Sequence, residues 1–349
     1  MRRVRKRPAF GIVGVPAETA IAPDGAAGYG FLPRERLRTD RAGHDPALDA
    51  SADAARRGDW RAVAAALSPA SGDADRYHRT LCDVAELAVE DDAWLNAWLD
   101  AAPEDPGAWS VHAQAMTRLA WRLRSAAPAP DVRPEQWAGF HRVLRQSPAA
   151  CARATTLAPD LATPWIVLMS CAQGLDWGHD RFRQIWAEVL ARAPHSVAAH
   201  QRALYYWLPR WQGSAELAAA FVAETLARAR PGTLLTGVQL EYLLLERVPG
   251  TDAEASAYYR GPEVAAALDA AVADLAAAPL DHPYRIHHRH WLSYFLTKAG
   301  RYGAAVEEFR AIDGYAGTRP WEWFADPAGM FSATRAEAVL GWQGTARVS

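Results

Sequence analysis

Cysteine, lysine and long apolar runs are all scarce in this chain of 349 residues. Its three cysteines, Cys82, Cys151 and Cys171, are too few and too scattered for a disulfide framework or a cysteine-ligated zinc site. No run of about 18 apolar residues is present, so the sequence predicts no membrane span. The formal net charge of -2 excludes a global basic field of the kind that attracts nucleic acid. We therefore expect a cytoplasmic protein.

Sequence motifs for catalysis and for nucleotide binding are also missing. The chain has no Gly-x-Ser-x-Gly nucleophile elbow, no P-loop and no Gly-x-Gly-x-x-Gly turn. It also lacks the His-Glu-x-x-His pair that places two zinc ligands on one helical face. These absences predict that the protein holds no cofactor and no metal.

Alanine, arginine and tryptophan are abundant instead. Alanine makes up roughly a fifth of the chain, well above ordinary usage, and it has the highest helix propensity of any residue. Lysine occurs only at Lys6 and Lys298, so nearly all positive charge is carried by arginine, which stacks on aromatic rings and pairs bidentately with carboxylates. The 15 tryptophans either fill a core between many helices or line a binding groove.

Apolar residues recur at helical spacing over most of the chain after Asp45. Two such stripes are formed by Phe182, Ile185, Trp186, Val189 and Leu190, and by Tyr302, Ala305, Val306 and Phe309. Positions i, i+3, i+4 and i+7 of a helix share one face, so each stripe predicts an amphipathic helix. The period-2 alternation of a sheet is not sustained in any segment, and the sequence predicts an all-α fold.

Proline marks several of the predicted helix ends at a nearly constant interval. Pro159 and Pro194 are 35 residues apart, and Pro194 and Pro231 are 37 residues apart. Helical-hairpin repeats of the tetratricopeptide type have a period of about 34 residues and a proline at the end of the second helix. The spacing favours a degenerate array of such hairpins.

The second helix of that repeat type is matched residue by residue near the C-terminus. Gly300 allows a tight turn, and Tyr302, Ala305 and Phe309 follow two, five and nine residues later. This spacing resembles the tetratricopeptide repeat, in which the small residue permits close helix packing. The match departs from the repeat at its end, where Gly317 stands in place of the terminal proline.

A second turn of this kind begins at Gly58, with Val63 and Leu67 at matching offsets. The resemblance at both ends implies a right-handed stack of antiparallel helical hairpins, a degenerate tetratricopeptide-like α-solenoid, over residues 46–315. We expect residues 1–45 to form a loosely ordered arm. Its first seven residues include five basic ones, which would allow weak contact with nucleic acid. Residues 316–349 are expected to form a tryptophan-containing, partly helical segment.

A short motif of aromatic and turn-forming residues lies in the middle of the chain. It consists of Leu208, Pro209, Arg210, Trp211, Gly213 and Ser214. Through this motif, residues 45–245 resemble an uncharacterised actinobacterial family of tetratricopeptide-like proteins, a domain of unknown function. The resemblance implies the same bacterial helical-repeat fold and implies no activity.

Aromatic and arginine side chains cluster at two predicted helix ends. The residues are Tyr206, Trp207, Arg210, Trp211, Tyr259 and Arg260. Since a repeat array presents a long concave surface, the clusters predict a groove that binds a protein or peptide partner without catalysis. The alternative is that the same rings pack between neighbouring helices.

A histidine cluster supports a second hypothesis. His282, His287, His288 and His290 fall within one short segment. His287 and His290 would share one helical face, but no carboxylate stands at a matching offset to complete a metal site. With carboxylates from neighbouring helices, the cluster would serve an enzyme of unrecognised type on an α-helical scaffold. The alternative is that these histidines are solvated or lie at the edge of the core.

Overall fold

A computed structural model of the chain describes residues 28–67, 72–127, 129–246 and 251–346. Within these ranges the regular secondary structure is helical and no β-strand is formed, which confirms the predicted all-α class. Nor is any helix in these ranges both long and apolar enough to cross a membrane. The α-helices are α1 (Pro46–Arg56), α2 (Trp60–Ala66), α3 (Ala74–Glu90), α4 (Ala93–Ala101), α5 (Pro106–Arg124), α6 (Pro134–Leu144), α7 (Ser147–Leu157), α8 (Thr163–Gly174), α9 (His179–Arg192), α10 (Val197–Trp207), α11 (Ala215–Arg228), α12 (Thr236–Glu246), α13 (Asp252–Tyr259), α14 (Pro262–Ala277), α15 (Arg285–Lys298), α16 (Tyr302–Ile312) and α17 (Pro327–Ala346).

The described residues form two compact units. The central unit comprises residues 45–224, and the C-terminal unit comprises residues 225–346 together with residues 28–44. This division differs from the single body that we predict for residues 46–315. Each unit has its own set of buried side chains.

In the central unit, aspartates begin several of the helices. The side chains of Asp45, Asp59 and Asp73 each accept a hydrogen bond from the backbone N–H three residues later. Asp105 accepts from the N–H of Gly107, two residues later, at the start of α5, where Pro106 occupies the first helical position. These caps satisfy N–H groups that a helix start leaves without an intrahelical acceptor.

Helix α5 lies at the centre of this unit and packs against α3, α6 and α7, while α8 packs against α7, α9 and α10. Trp98 of α4 belongs to the core of this unit. Its ring is fully buried and stacks on Trp60 with 6.1 Å between ring centroids, and its Nε1–H donates to Asp105. Trp98 therefore helps to fill the core, as one of the two sequence interpretations predicts.

In the C-terminal unit, α15 packs against α14 and α16, and α17 covers α15 and α16. Part of the segment predicted as a loosely ordered arm belongs to this unit. Phe31 and Ala42 are buried, and Arg335 of α17 donates to the carbonyl of Leu32 at 2.8 Å. The arm prediction is corrected for this part, because these contacts hold it against the helices. The basic block at residues 1–7 lies outside the described residues.

Two glycines form the tight turns expected from the repeat pattern. Gly58 links α1 to α2 with φ 74°, and Gly300 links α15 to α16 with φ 77°. At the second turn, Arg301 N–H donates to the carbonyl of Leu296 at 2.8 Å, which closes the end of α15. A left-handed backbone conformation at this position favours glycine, because glycine has no Cβ.

We expect Gly300→Val to lower the free energy of unfolding by about 1–3 kcal/mol. A Cβ placed there would lie 3.6 Å from the side chain of Arg260, which is ordinary contact, so the cost comes from the backbone conformation. Urea denaturation followed by circular dichroism measures the change. Gly300→Asn is the matched control, since asparagine tolerates the left-handed region better. Equal stability of the valine variant and the parent would contradict the turn geometry.

Candidate binding cleft

The structure buries three of the residues that we predict to face a partner. Tyr206 has no exposed surface, and Trp207 and Tyr259 are also buried. Tyr206 stacks on Phe182 with 3.6 Å between ring centroids, and Trp207 meets the same ring edge-on at 5.3 Å. These rings pack between helices, so the prediction of partner contact is corrected for them.

The other three predicted residues remain at the surface. Arg210 and Arg260 are exposed, and Trp211 is half-buried. Arg210 and Trp211 belong to the central unit, whereas Arg260 belongs to the C-terminal unit, where it follows α13. Of the two predicted clusters, the one at residues 210 and 211 lies beside a cleft.

That cleft is an open depression of about 400 Å³ in the central unit. It is lined by His141, Arg145, Pro148, Leu175, Asp176 and Trp177. The first two come from the end of α6, Pro148 from the start of α7, and the last three from the loop between α8 and α9. Two chain segments, residues 141–148 and residues 175–177, therefore build one surface.

Hydrogen bonds attach the loop of residues 208–213 to the wall of this cleft. Gln212 Nε2 donates to Asp176 Oδ1 at 2.6 Å, and the carbonyl of Gln212 accepts from His179 Nε2 at 2.6 Å. The buried Tyr206 hydroxyl donates to the carbonyl of Trp177 at 2.6 Å. The loop and the cleft therefore hold each other in place, and Trp211 directly precedes the residue that contacts the lining.

A buried arginine fixes the position of Trp211. The guanidinium of Arg124 lies 5.0 Å from the ring centroid of Trp137 and 5.7 Å from those of Trp121 and Trp211. Its Nη1 donates to the carbonyls of Ser125 and Ala127, both at 3.1 Å. Burial lowers the pKa of this guanidinium from its usual value. The three rings and two carbonyls together stabilise the cation.

Two arginines and one carboxylate, that of Asp176, lie at the cleft. Arg145 lines it, and Arg181 stacks over the ring of Trp177 at 3.3 Å from the centroid. Within the described ranges, Arg145, Arg181 and Arg210 form no ion pair. The carboxylate of Asp176 accepts from the amide of Gln212 rather than pairing with an arginine, and Asp180 pairs with Arg183. This surface is therefore suited to carboxylate groups.

The histidines of residues 282–290 do not converge on one site; two of them are buried and bonded to backbone carbonyls. His288 and His290 are buried and donate through Nε2 to the carbonyls of Ala271 at 3.0 Å and Ala42 at 2.8 Å. His287 Nδ1 lies 2.8 Å from the hydroxyl of Thr318. In the described part of the chain, no group of three or more His, Cys, Asp or Glu side chains is placed to hold a metal ion.

Sequence reasoning missed the cleft residues His141, Arg145, Asp176 and Trp177. The only local signal is the pattern Leu-Asp-Trp-Gly at the end of α8, which resembles the tryptophan and glycine of the loop at 208–213. Nothing in the sequence indicates that the end of α6 meets these loops, because that contact depends on tertiary packing.

No family model, curated protein or solved structure matches the chain. The resemblances to the tetratricopeptide repeat and to an actinobacterial domain of unknown function therefore stay predictions.

Proposed function

We propose that the protein is a non-catalytic interaction module that binds an acidic, aromatic-containing peptide segment of a partner protein in the cleft of the central unit. The observation that carries the proposal is a set of three arginines: Arg145 lines the cleft, Arg181 stacks on Trp177, and Arg210 belongs to the loop that is hydrogen-bonded to the wall. Arg145, Arg181 and Arg210 are exposed, and within the described residues none of them has a carboxylate partner. Such unpaired arginines favour an anionic ligand.

The size and lining of the cleft support a peptide rather than a flat protein surface. A volume of about 400 Å³ accommodates a few side chains. Trp177 and His141 provide flat rings for an aromatic side chain, and Arg145 provides a fork for a carboxylate. Aromatic rings and arginines of this kind dominate the binding energy at many interfaces.

The relative direction of α3 and α5 supports a helical-repeat scaffold for this site. Glu86 of α3 contacts Arg122 of α5 at 2.5 Å, and Gln114 of α5 donates to Cys82 of α3 at 3.5 Å. Residue numbers rise in the same direction along both helices, so α3 and α5 are parallel. Parallel alternate helices are expected in a stack of hairpins, and we propose that residues 46–224 form a degenerate, tetratricopeptide-like α-solenoid.

We also propose a cytoplasmic location. Cys82, Cys151 and Cys171 are all free thiols, which is typical of a reducing compartment. The enzyme hypothesis receives no comparable support, because the ring nitrogens of His290 both make structural hydrogen bonds.

Fluorescence anisotropy with three labelled peptides of equal length tests the proposed function. One peptide is rich in Glu and Phe, and the others replace every Glu with Gln or with Lys. We expect micromolar binding of the acidic peptide only, weakened by added salt. Arg145→Glu combined with Arg181→Glu should weaken that binding about tenfold or more, because it replaces two cations with two anions.

Arg56→Glu on α1 is the matched control for this experiment. Arg56 is exposed and its helix contributes no residue to the cleft, so the variant changes charge without changing the proposed site. Its affinity should equal that of the parent. Equal binding of the Glu and Gln peptides, or an unchanged affinity in the cleft variant, would show that the proposed function is wrong.

A further inference from the structure

Helices α3 and α5 bring a cysteine, a histidine and an arginine together in the central unit, away from the residues that line the cleft. His78 and Cys82 are one turn apart on α3, and His78 Nε2 lies 3.4 Å from Cys82 Sγ. From α5, Gln114 Nε2 donates to the same sulfur at 3.5 Å. Arg118, one turn further along α5, also acts on the thiol. We call these four residues the Cys82 cluster.

Two polar atoms of the Cys82 cluster are buried without a hydrogen-bond partner among the described residues. They are His78 Nδ1 and Arg118 Nε. Arg118 Nε faces Glu86 Oε2 at 3.9 Å, which is too long for a hydrogen bond. Buried polar atoms are usually satisfied, so the Cys82 cluster has hydrogen-bonding capacity that the described residues do not use.

The electrostatics of the cluster favour a thiolate. Burial raises the pKa of the Cys82 thiol, but the charges and hydrogen bonds of His78 and Arg118 outweigh it and lower this pKa to about 6. The other charged groups around the pair are Asp83 and Glu86 on α3 and Arg122 on α5. At neutral pH Cys82 is therefore mostly a thiolate, whereas an ordinary cysteine is mostly a thiol.

The other two cysteines provide an internal comparison. Cys151 and Cys171 have no exposed surface, whereas Cys82 is partly exposed. Burial raises the pKa of the Cys151 thiol and raises that of Cys171 to about 11. Reactivity of a cysteine requires both thiolate character and access, and only Cys82 combines them.

We propose that Cys82 is a modification site for peroxides, at which His78, Gln114 and Arg118 stabilise the reacting sulfur. The thiolate sulfur attacks one oxygen of hydrogen peroxide, and an S–O bond forms as the O–O bond breaks. The second oxygen leaves as hydroxide, which an acid of the buffer protonates to water. Sulfur is oxidised by two electrons to the sulfenic acid, and the peroxide is reduced by the same two electrons. The guanidinium of Arg118, whose positive charge acts on the thiol, stabilises the negative charge of the leaving oxygen.

The experiment treats the full chain with equimolar hydrogen peroxide at neutral pH, traps sulfenic acid with dimedone and locates the adduct by peptide mass spectrometry. We expect the adduct on Cys82 and not on Cys151 or Cys171. Arg118→Gln should slow adduct formation at pH 7 by about twofold or more, since a rise of about one unit in a thiol pKa near 6 lowers the thiolate fraction from roughly 0.9 to roughly 0.5. The rate of iodoacetamide labelling should rise through a midpoint near the pKa of about 6.

Arg122→Gln is the matched control, because Arg122 lies one turn further along α5 and pairs with Glu86 and Glu90 rather than with Cys82. It removes the same charge and should leave the labelling of Cys82 unchanged. Circular dichroism confirms that both variants fold. Labelling of all three cysteines at similar rates, a labelling midpoint near the ordinary thiol pKa, or equal rates in Arg118→Gln and the parent would overturn the proposal.

Discussion

Replacing Trp321 with alanine is expected to lower the free energy of unfolding by about 3–5 kcal/mol, the usual cost of deleting a buried tryptophan. The ring of Trp321 is fully buried in the C-terminal unit. It contacts Phe331 at 5.1 Å and Tyr294 at 5.7 Å between ring centroids. Truncation therefore leaves a large cavity in the core, because its neighbours collapse only in part.

The same substitution also leaves a buried acceptor without its donor. Trp321 Nε1–H donates to His290 Nδ1 at 2.8 Å, and His290 has no exposed surface. Trp321→Phe shifts the balance between the two effects, since it removes the N–H group but keeps most of the ring volume. We expect this variant to lose about 1–3 kcal/mol, the cost of an unsatisfied buried polar group. Urea denaturation measures both variants, and equal losses in the two would contradict the cavity argument.

Local sequence patterns predict helices and turns well where the structure depends only on residues that are close in sequence. The stripe at Tyr302, Ala305 and Phe309 predicts a helix over the range in which α16 forms, and Gly300 predicts the turn before it. Both features depend on neighbours in sequence, so helical spacing and turn chemistry are sufficient. Asp105 followed by Pro106 likewise marks the start of α5.

The candidate sites are less predictable, because aromatic residues serve packing and binding alike. Tyr206 and Trp211 lie in one short segment, yet the first is fully buried and the second is half-buried. What separates them is the position of Phe182, which covers Tyr206 from another helix. That contact cannot be inferred from local spacing, so the sequence locates the segment but does not identify which of its residues face outward.

Part of the Cys82 cluster can be predicted from the sequence. His78 and Cys82 are four residues apart, a spacing that places them on one face of a helix. This spacing alone does not identify a reactive site, because a small buried residue is the commoner role of cysteine. The contribution of Arg118 depends on the parallel packing of α3 and α5, and no sequence pattern predicts that register.

Acid is expected to destabilise the C-terminal unit strongly between about pH 6.5 and pH 4, through His288 and His290. Burial lowers the pKa of each imidazole to about 4, against weaker opposing contributions from the carbonyls of Ala271 and Ala42. For His290, a hydrogen bond also explains why protonation is unfavourable. Its Nδ1 accepts the N–H of Trp321, so a proton on that nitrogen would face another donor.

The sign of the effect follows from proton binding. Below about pH 6.5 the unfolded chain binds protons on these histidines while the folded chain does not, so stability falls as the pH is lowered, and the loss levels off below the folded pKa. Each histidine contributes a slope of about 1.4 kcal/mol per pH unit in this window. Burial raises the pKa of Glu308, which stabilises the folded state in acid and reduces the slope in part.

Urea denaturation at a series of pH values measures this slope. In the variant His288→Gln with His290→Gln, the free energy of unfolding should be lower at neutral pH, because two buried hydrogen-bonded rings are lost, but it should depend much less on pH below about 6.5. His44→Gln is the control, since His44 is exposed and its replacement should leave the slope unchanged. If the double variant kept the slope of the parent, the buried histidines would not be the groups whose protonation unfolds the protein.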